Sequence, residues 1–183
     1  MASNFKINFL MVSVAVFLLL IASASARFSI KISESEIQTI CSKAKNPEFC
    51  QTFLKSKPET VQADLPALAK LTVDSARKSA SMTLAEIESL LQQASDPKSK
   101  EVYTSCSENY DSATTNLGDA LKALVGGDPG TVNIKVSAAM TDADTCKRDL
   151  VGVSPDPSSV VKGIENLENV SSIALVISNM LPK

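Results

Sequence analysis

Apolar residues recur at steps of three or four along four long stretches of the chain, the spacing that lines one face of an α-helix. From about Gln62 to Ala94 the stripe reads Leu65, Leu68, Thr72, Ala76, Ala80, Thr83, Ile87, Leu91 and Ala94. Asp96-Pro97 predicts its end. From about Ser99 to Leu124 it reads Tyr103, Cys106, Tyr110, Ala113, Leu117, Ala120, Leu121 and Leu124, before the breakers Gly126 to Gly130 predict a tight interhelical turn. A third stretch, about Thr131 to Leu150, carries Val132, Val136, Met140, Ala143, Cys146 and Leu150. A fourth starts near Ser158 with Val161, Ile164, Leu167, Val170, Ala174, Ile177 and Leu181.

Four amphipathic helices joined by short connections predict an all-α fold, an up-down-up-down four-helix bundle over residues 61–183. Its seam is rich in Ala and Thr, which implies closely spaced helices and little room for a ligand cavity. Residues 27–60 precede the bundle as an extension. Within it Ser33 to Cys41 and Pro47 to Leu54 predict two short helices, linked by Lys43-Ala-Lys-Asn46. Helices that short are marginal alone. A bridge between Cys41 and Cys50 would staple them into a hairpin. Together, 27–183 form one domain without internal repeats.

The first 26 residues follow a different pattern, with Lys6, the apolar run Phe9 to Ile21, and then Ala22-Ser-Ala24-Ser-Ala26 ahead of Arg27. This reads as a cleaved secretion signal. Its apolar core, roughly a dozen residues, is short for a membrane span. Loss of Lys6 lowers the 18 basic residues to 17 against 20 acidic ones, a net charge of −3 with no basic tract. Nucleic acid is thereby disfavoured as a partner, and no membrane contact is expected after cleavage.

Composition narrows the chemistry further. The chain has no histidine and no tryptophan, which removes His-based triads and His metal ligands. Carboxylate pairs are the main remaining route to hydrolysis, but they usually work in clefts furnished with aromatic rings. The sequence has six Phe and two Tyr, and three of these aromatics lie in the leader, so catalysis is not expected. Cofactors and metals are not expected either.

The four cysteines, Cys41, Cys50, Cys106 and Cys146, stand behind a secretion signal in an even number, the arithmetic of disulfides. Three pairings are open. Sequence neighbours favour Cys41 with Cys50 and Cys106 with Cys146, and the spacings lack the compact ligand pairs of zinc sites. Closing the longer loop would contribute about 3 to 4 kcal/mol by restricting the unfolded chain.

Two polar features stand out. Cys106-Ser-Glu-Asn-Tyr-Asp111 sets Glu108 and Asp111 three apart on the exposed face of the second helix. As an acid–base pair they would need neighbours that raise one pKa, and the sequence supplies none. They can instead present charge and hydrogen-bond acceptors to a protein partner. Asn169-Val-Ser171 is a glycosylation sequon, but its place inside the last helix, close to the apolar stripe, argues against occupancy.

The pattern Ile40-Cys41-Ser-Lys-Ala-Lys-Asn-Pro47-Glu-Phe-Cys50, then Cys106-Ser-Glu-Asn-Tyr110 with Ala113 and Leu117, then Ser137-Ala-Ala-Met-Thr-Asp-Ala-Asp-Thr145-Cys146, resembles the plant invertase and pectin methylesterase inhibitor family. The ending Ile173 to Pro182 is similar to that of pectin methylesterase inhibitors. The resemblance implies a four-helix bundle with an N-terminal helical hairpin and the two local disulfides. It also implies a function without chemistry: one-to-one capture of pectin methylesterase in the plant apoplast by a protein that is monomeric when free. In that family the second and third bundle helices lie across the enzyme's cleft and exclude the polymer.

Carried over by position, the family's contact residues fall on Glu108, Ser112 and Thr115 of the second helix and on Asn133, Thr145 and Arg148 around the third. Ser112, Thr115 and Arg148 stand where the family often has an acid, and Asp111 offers a replacement charge near Ser112. Ser171 occupies the place of a further, normally unpaired cysteine. The same family includes inhibitors of acid invertase, many of which carry Pro-Lys-Phe in the turn before the third helix. Here that turn reads Pro129-Gly130-Thr131, which with the C-terminal match favours pectin methylesterase as the target. A secreted carrier of a small apolar ligand is the distant alternative, disfavoured by four cysteines and a seam of small residues.

Overall fold

The structure, a computed structural model, describes residues 31–182. The leader at 1–26 lies outside the described residues. Six α-helices and one 3-10 turn make up the described chain, in the order α1 (Glu34–Lys43), α2 (Pro47–Lys55), the 3-10 turn (Pro58–Gln62), α3 (Leu65–Gln93), α4 (Pro97–Val125), α5 (Pro129–Asp149) and α6 (Ser158–Ser178).

Each start of the first five helices has a local cause. Ser33, Asn46, Asp64, Asp96 and Asp128 act as N-caps, each accepting from a backbone N–H of the first turn. Ser33 and Glu36 form a reciprocal capping box. In α2 to α5 a proline sits in the first two positions, where its missing N–H costs nothing. Asp96-Pro97 and Asp128-Pro129, read in sequence as terminators, are therefore the starts of α4 and α5. The first long helix likewise begins at Leu65 because Pro58–Gln62 forms its own 3-10 turn. The sharp α4–α5 turn needs Gly127, whose φ of 71° an L side chain rarely adopts.

The four long helices form a ring. Both α3 and α5 pack on α4 and on α6, as the short connections require. The predicted stripes supply the core: Ile87 of α3, Tyr103, Tyr110 and Leu117 of α4, Val136 of α5, and Ile164 and Leu167 of α6 are fully buried. Alanines at 76, 80, 113, 120, 139 and 143 let the backbones approach closely. Closest of all is Gly163 of α6, where an added Cβ would stand 2.3 Å from Thr83 Oγ1. A second apolar cluster joins Ile40, Leu54, Leu68, Ile173 and Ile177, seating the α1–α2 hairpin on α6 and the start of α3.

Both neighbouring cysteine pairs are bridged. Cys41–Cys50 closes the hairpin with its Cα atoms 5.3 Å apart, and Cys106–Cys146 ties α4 to α5 at 4.8 Å. One buried charge was not legible from periodicity. Glu168 of α6 is buried, and its Oε2 accepts from Lys45 of the hairpin link at 2.6 Å and lies 3.8 Å from Lys147 of α5. Lys45 also donates its backbone N–H to the Ser172 hydroxyl at 2.8 Å. A polar clasp thus accompanies the apolar seat of the hairpin.

Candidate functional site

The surface of interest is built on α4 and α5, whose alignment follows from Cys106 and Cys146. Fixing that pair fixes the rotation of both helices, since residues three or four positions away share a flank. One turn before Cys146, Asp142 therefore faces α4. Its Oδ2 accepts from the Ser112 hydroxyl at 3.0 Å and from the Asn116 amide at 3.2 Å. Two turns before Asp142, Lys135 donates to Asn116 Oδ1 at 3.3 Å and pairs with Asp119 at 3.2 Å. This polar seam continues the disulfide along the joint. Hydrogen bonds from Lys122 and Lys135 hold the Asp119 carboxyl below its ordinary range.

Glu108, Asp111, Ser112 and Thr115 are all exposed on α4, Ser112 while also bonded into the seam. Glu108, Ser112 and Thr115 follow one another at helical spacing, and Asp111 lies about 100° round the helix from Ser112. On α5, Arg148 is exposed and Thr145 is half-buried. Thr145 donates its hydroxyl to the Thr141 carbonyl at 2.9 Å and accepts from Arg148 Nη2 at 3.2 Å, while Arg148 Nε lies 3.8 Å from Asp144. Thr145 is thus part of a local polar cluster rather than a bare surface point.

Asn133 is placed differently. Its amide donates to Ser178 Oγ at 3.3 Å and Asn179 Oδ1 at 3.2 Å, which turns it toward the end of α6 and away from α4. Six of the seven sequence-derived positions therefore share the outward side of α4 and α5, and Asn133 stands at its far edge. Asn169 is half-buried in mid-α6, between buried Glu168 and Val170. Sequence reasoning did not single out Asp142, Asn116, Lys135 or Asp119. The signal was present in the step of four from Asp142 to Cys146.

The arrangement offers little chemistry of its own. Glu108 and Asp111 are solvated, and no group of three or more His, Cys, Asp or Glu able to hold a metal occurs among the described residues. Burial pushes the Tyr110 phenol upward, so that it stays protonated. Among the described residues, no helix is long and apolar enough to cross a membrane. The α4–α5 surface is polar and braced by a disulfide and a hydrogen-bonded seam.

Comparison with known proteins places that surface in context. The model of the plant invertase/pectin methylesterase inhibitor family matches residues 35–177, and the chain belongs to that family. It is 44% identical over 183 residues to Pectinesterase inhibitor 1 of Arabidopsis thaliana, covering 100% of this chain and 99% of the relative. A crystal structure of a mutant form of a pectin methylesterase inhibitor from Arabidopsis superposes with a TM-score of 0.75 at 44% identity, covering 81% of this chain and 98% of that one. Similarity to the cell wall/vacuolar inhibitor of fructosidase 1 from Arabidopsis thaliana is lower, 28% over 150 residues, with 81% of this chain and 71% of the relative covered. The family and these relatives are inhibitors, not enzymes.

Proposed function

We propose that this protein inhibits plant pectin methylesterase by a one-to-one complex, in which the outward faces of α4 and α5 lie across the enzyme's cleft and exclude pectin. The observation that carries the reading is the full-length identity of 44% to a protein named pectinesterase inhibitor, against 28% to an inhibitor of fructosidase. Steric exclusion needs a surface that holds its shape under load. The Cys106–Cys146 bridge and the Asp142 seam brace the two helices that would bear the contact.

In this reading Glu108, Asp111, Ser112 and Thr115 meet the enzyme from α4, Thr145 and Arg148 meet it from α5, and Asn133 lies at the edge of the contact. Neither partner changes covalently, so inhibition is reversible. The leader directs the protein to the apoplast, and it is a monomer when not bound to the enzyme. The test is a mixing assay of the leader-free protein with a purified plant pectin methylesterase and with acid invertase. Ester hydrolysis should slow and sucrose hydrolysis should not. Inhibition of invertase alone would overturn the choice of target.

A further inference from the structure

We propose that the groove between α3 and α6 binds a short uronate oligosaccharide, an acidic stretch of sugar chain, on the side of the bundle opposite the α4–α5 face. The groove measures about 520 Å³, within the range of sites that hold small ligands. In the helix ring α3 pairs with α6 as α4 pairs with α5. The two faces can therefore be occupied together. The ligand class rests on the reading above, that the partner enzyme works on pectin.

The walls carry the chemistry of an acidic sugar. Lys57 and Lys78 line the groove, and neither has an ion-pair partner among the described residues. Glu86 is the acid in the lining, and its Oε1 already accepts from the Ser159 hydroxyl at 2.7 Å. The lining is thus net positive on a chain whose formal charge is −2. Carboxylates are the ligand groups that such a lining attracts.

Hydroxyl recognition has its own groups. Asn166 Nδ2 donates to Ser79 Oγ at 2.8 Å, which leaves the amide oxygen to accept and the serine proton to donate. Met82, 65% exposed, and the Phe53 ring border the same space. Apolar faces of this kind suit the C–H face of a sugar ring. Lys57 Nζ lies 5.4 Å from the centre of the Phe53 ring, which positions that ammonium beside the apolar wall. Gly163 and Thr83 close the floor, where α6 and α3 touch.

The test is calorimetric titration of the protein, without enzyme, with trigalacturonate, its methyl ester and neutral maltotriose at low ionic strength. Trigalacturonate should bind saturably, with the ester and maltotriose at least about tenfold weaker, because both lack the carboxylates. Joint substitution Lys57→Glu and Lys78→Glu should weaken trigalacturonate about tenfold, the scale of two partly exposed charges reversed, and leave inhibition of pectin methylesterase unchanged. The proposal is overturned by absence of saturable binding, by equal binding of maltotriose, or by unchanged affinity in the double variant. An equal loss on Lys98→Glu with Lys100→Glu, elsewhere on the surface, would also overturn it. Since no enzyme is present, failure here leaves the inhibition reading intact, and failure of inhibition leaves this binding measurable.

Discussion

Thr115 and Glu108 lie on the same exposed side of α4, yet they test different sources of affinity. A partly exposed interfacial charge contributes about 0.2 to 1 kcal/mol, so Glu108→Lys should weaken the complex only severalfold. Thr115→Trp adds bulk where two surfaces must close, and should weaken it much more. Thr145→Trp should act in the same sense, with added disturbance from the displaced Arg148 hydrogen bond. Titration against one plant enzyme, with circular dichroism to check folding, orders the three variants. Wild-type affinity in folded Thr115→Trp and Thr145→Trp proteins would place the contact elsewhere.

The caps make a separate prediction about acid. Hydrogen bonds with Ser99 hold Asp96 below its ordinary 3.8, those with Thr131 do the same for Asp128, and Lys122 with Lys135 do so for Asp119. The Ser33 backbone N–H holds Glu36 below 4.5. Depressed native values stabilise the fold above the unfolded-state pKa, and that stability is lost as pH falls through the native one. Melting temperature should therefore stay level from pH 7 to 5 and fall below about pH 4. Joint replacement of Asp96, Asp119 and Asp128 by Asn should make the fall shallower. An unchanged acid slope would contradict the assignment.

Among the elements, the contact of α3 with α6 depends on one missing methyl group. Gly163→Ala would drive its Cβ into Thr83, buried and already bonded through Oγ1 to the Ser79 carbonyl at 3.0 Å. Overpacking of this kind destabilises by about 1 to 3 kcal/mol. Thr83→Ala should relieve most of that, because it removes Oγ1 and Cγ2, the two nearest atoms. Denaturant unfolding of both single variants and the double one measures the coupling. Additive losses would show that the clash is absorbed elsewhere.

The element scale also shows what the sequence could and could not reveal. Periodicity located every long helix, because burial of one stripe against the neighbouring helices of the ring leaves a period that survives in the letters. It also placed Tyr103, Cys106, Tyr110, Ala113 and Leu117 in the core of α4, where they are fully buried. Boundaries were less legible. A proline after an aspartate can follow one helix or open the next, and only the N–H that the aspartate caps decides between them. Glu168 escaped because its burial depends on Lys45, 123 positions away, which no local pattern encodes. Residues proposed to meet the enzyme lie off the apolar stripes, where polar side chains carry no burial signal, so they came from resemblance rather than from spacing.

At the scale of the whole molecule, the two bridges and the Glu168 clasp divide the work. The first staples a hairpin too short to stand alone, the clasp seats that hairpin on α6, and the second bridge aligns the pair of helices that faces outward. The protein is thereby a braced surface with a separate groove at its back. On the proposed function, this surface closes the cleft of pectin methylesterase in a one-to-one complex. The most direct measurement is titration of a plant pectin methylesterase, held at a concentration well above the dissociation constant, with the leader-free protein. Activity should fall linearly and reach its floor at one equivalent for the wild type, and only at a large excess for Thr115→Trp. Full activity after several equivalents of folded wild-type protein would contradict the account.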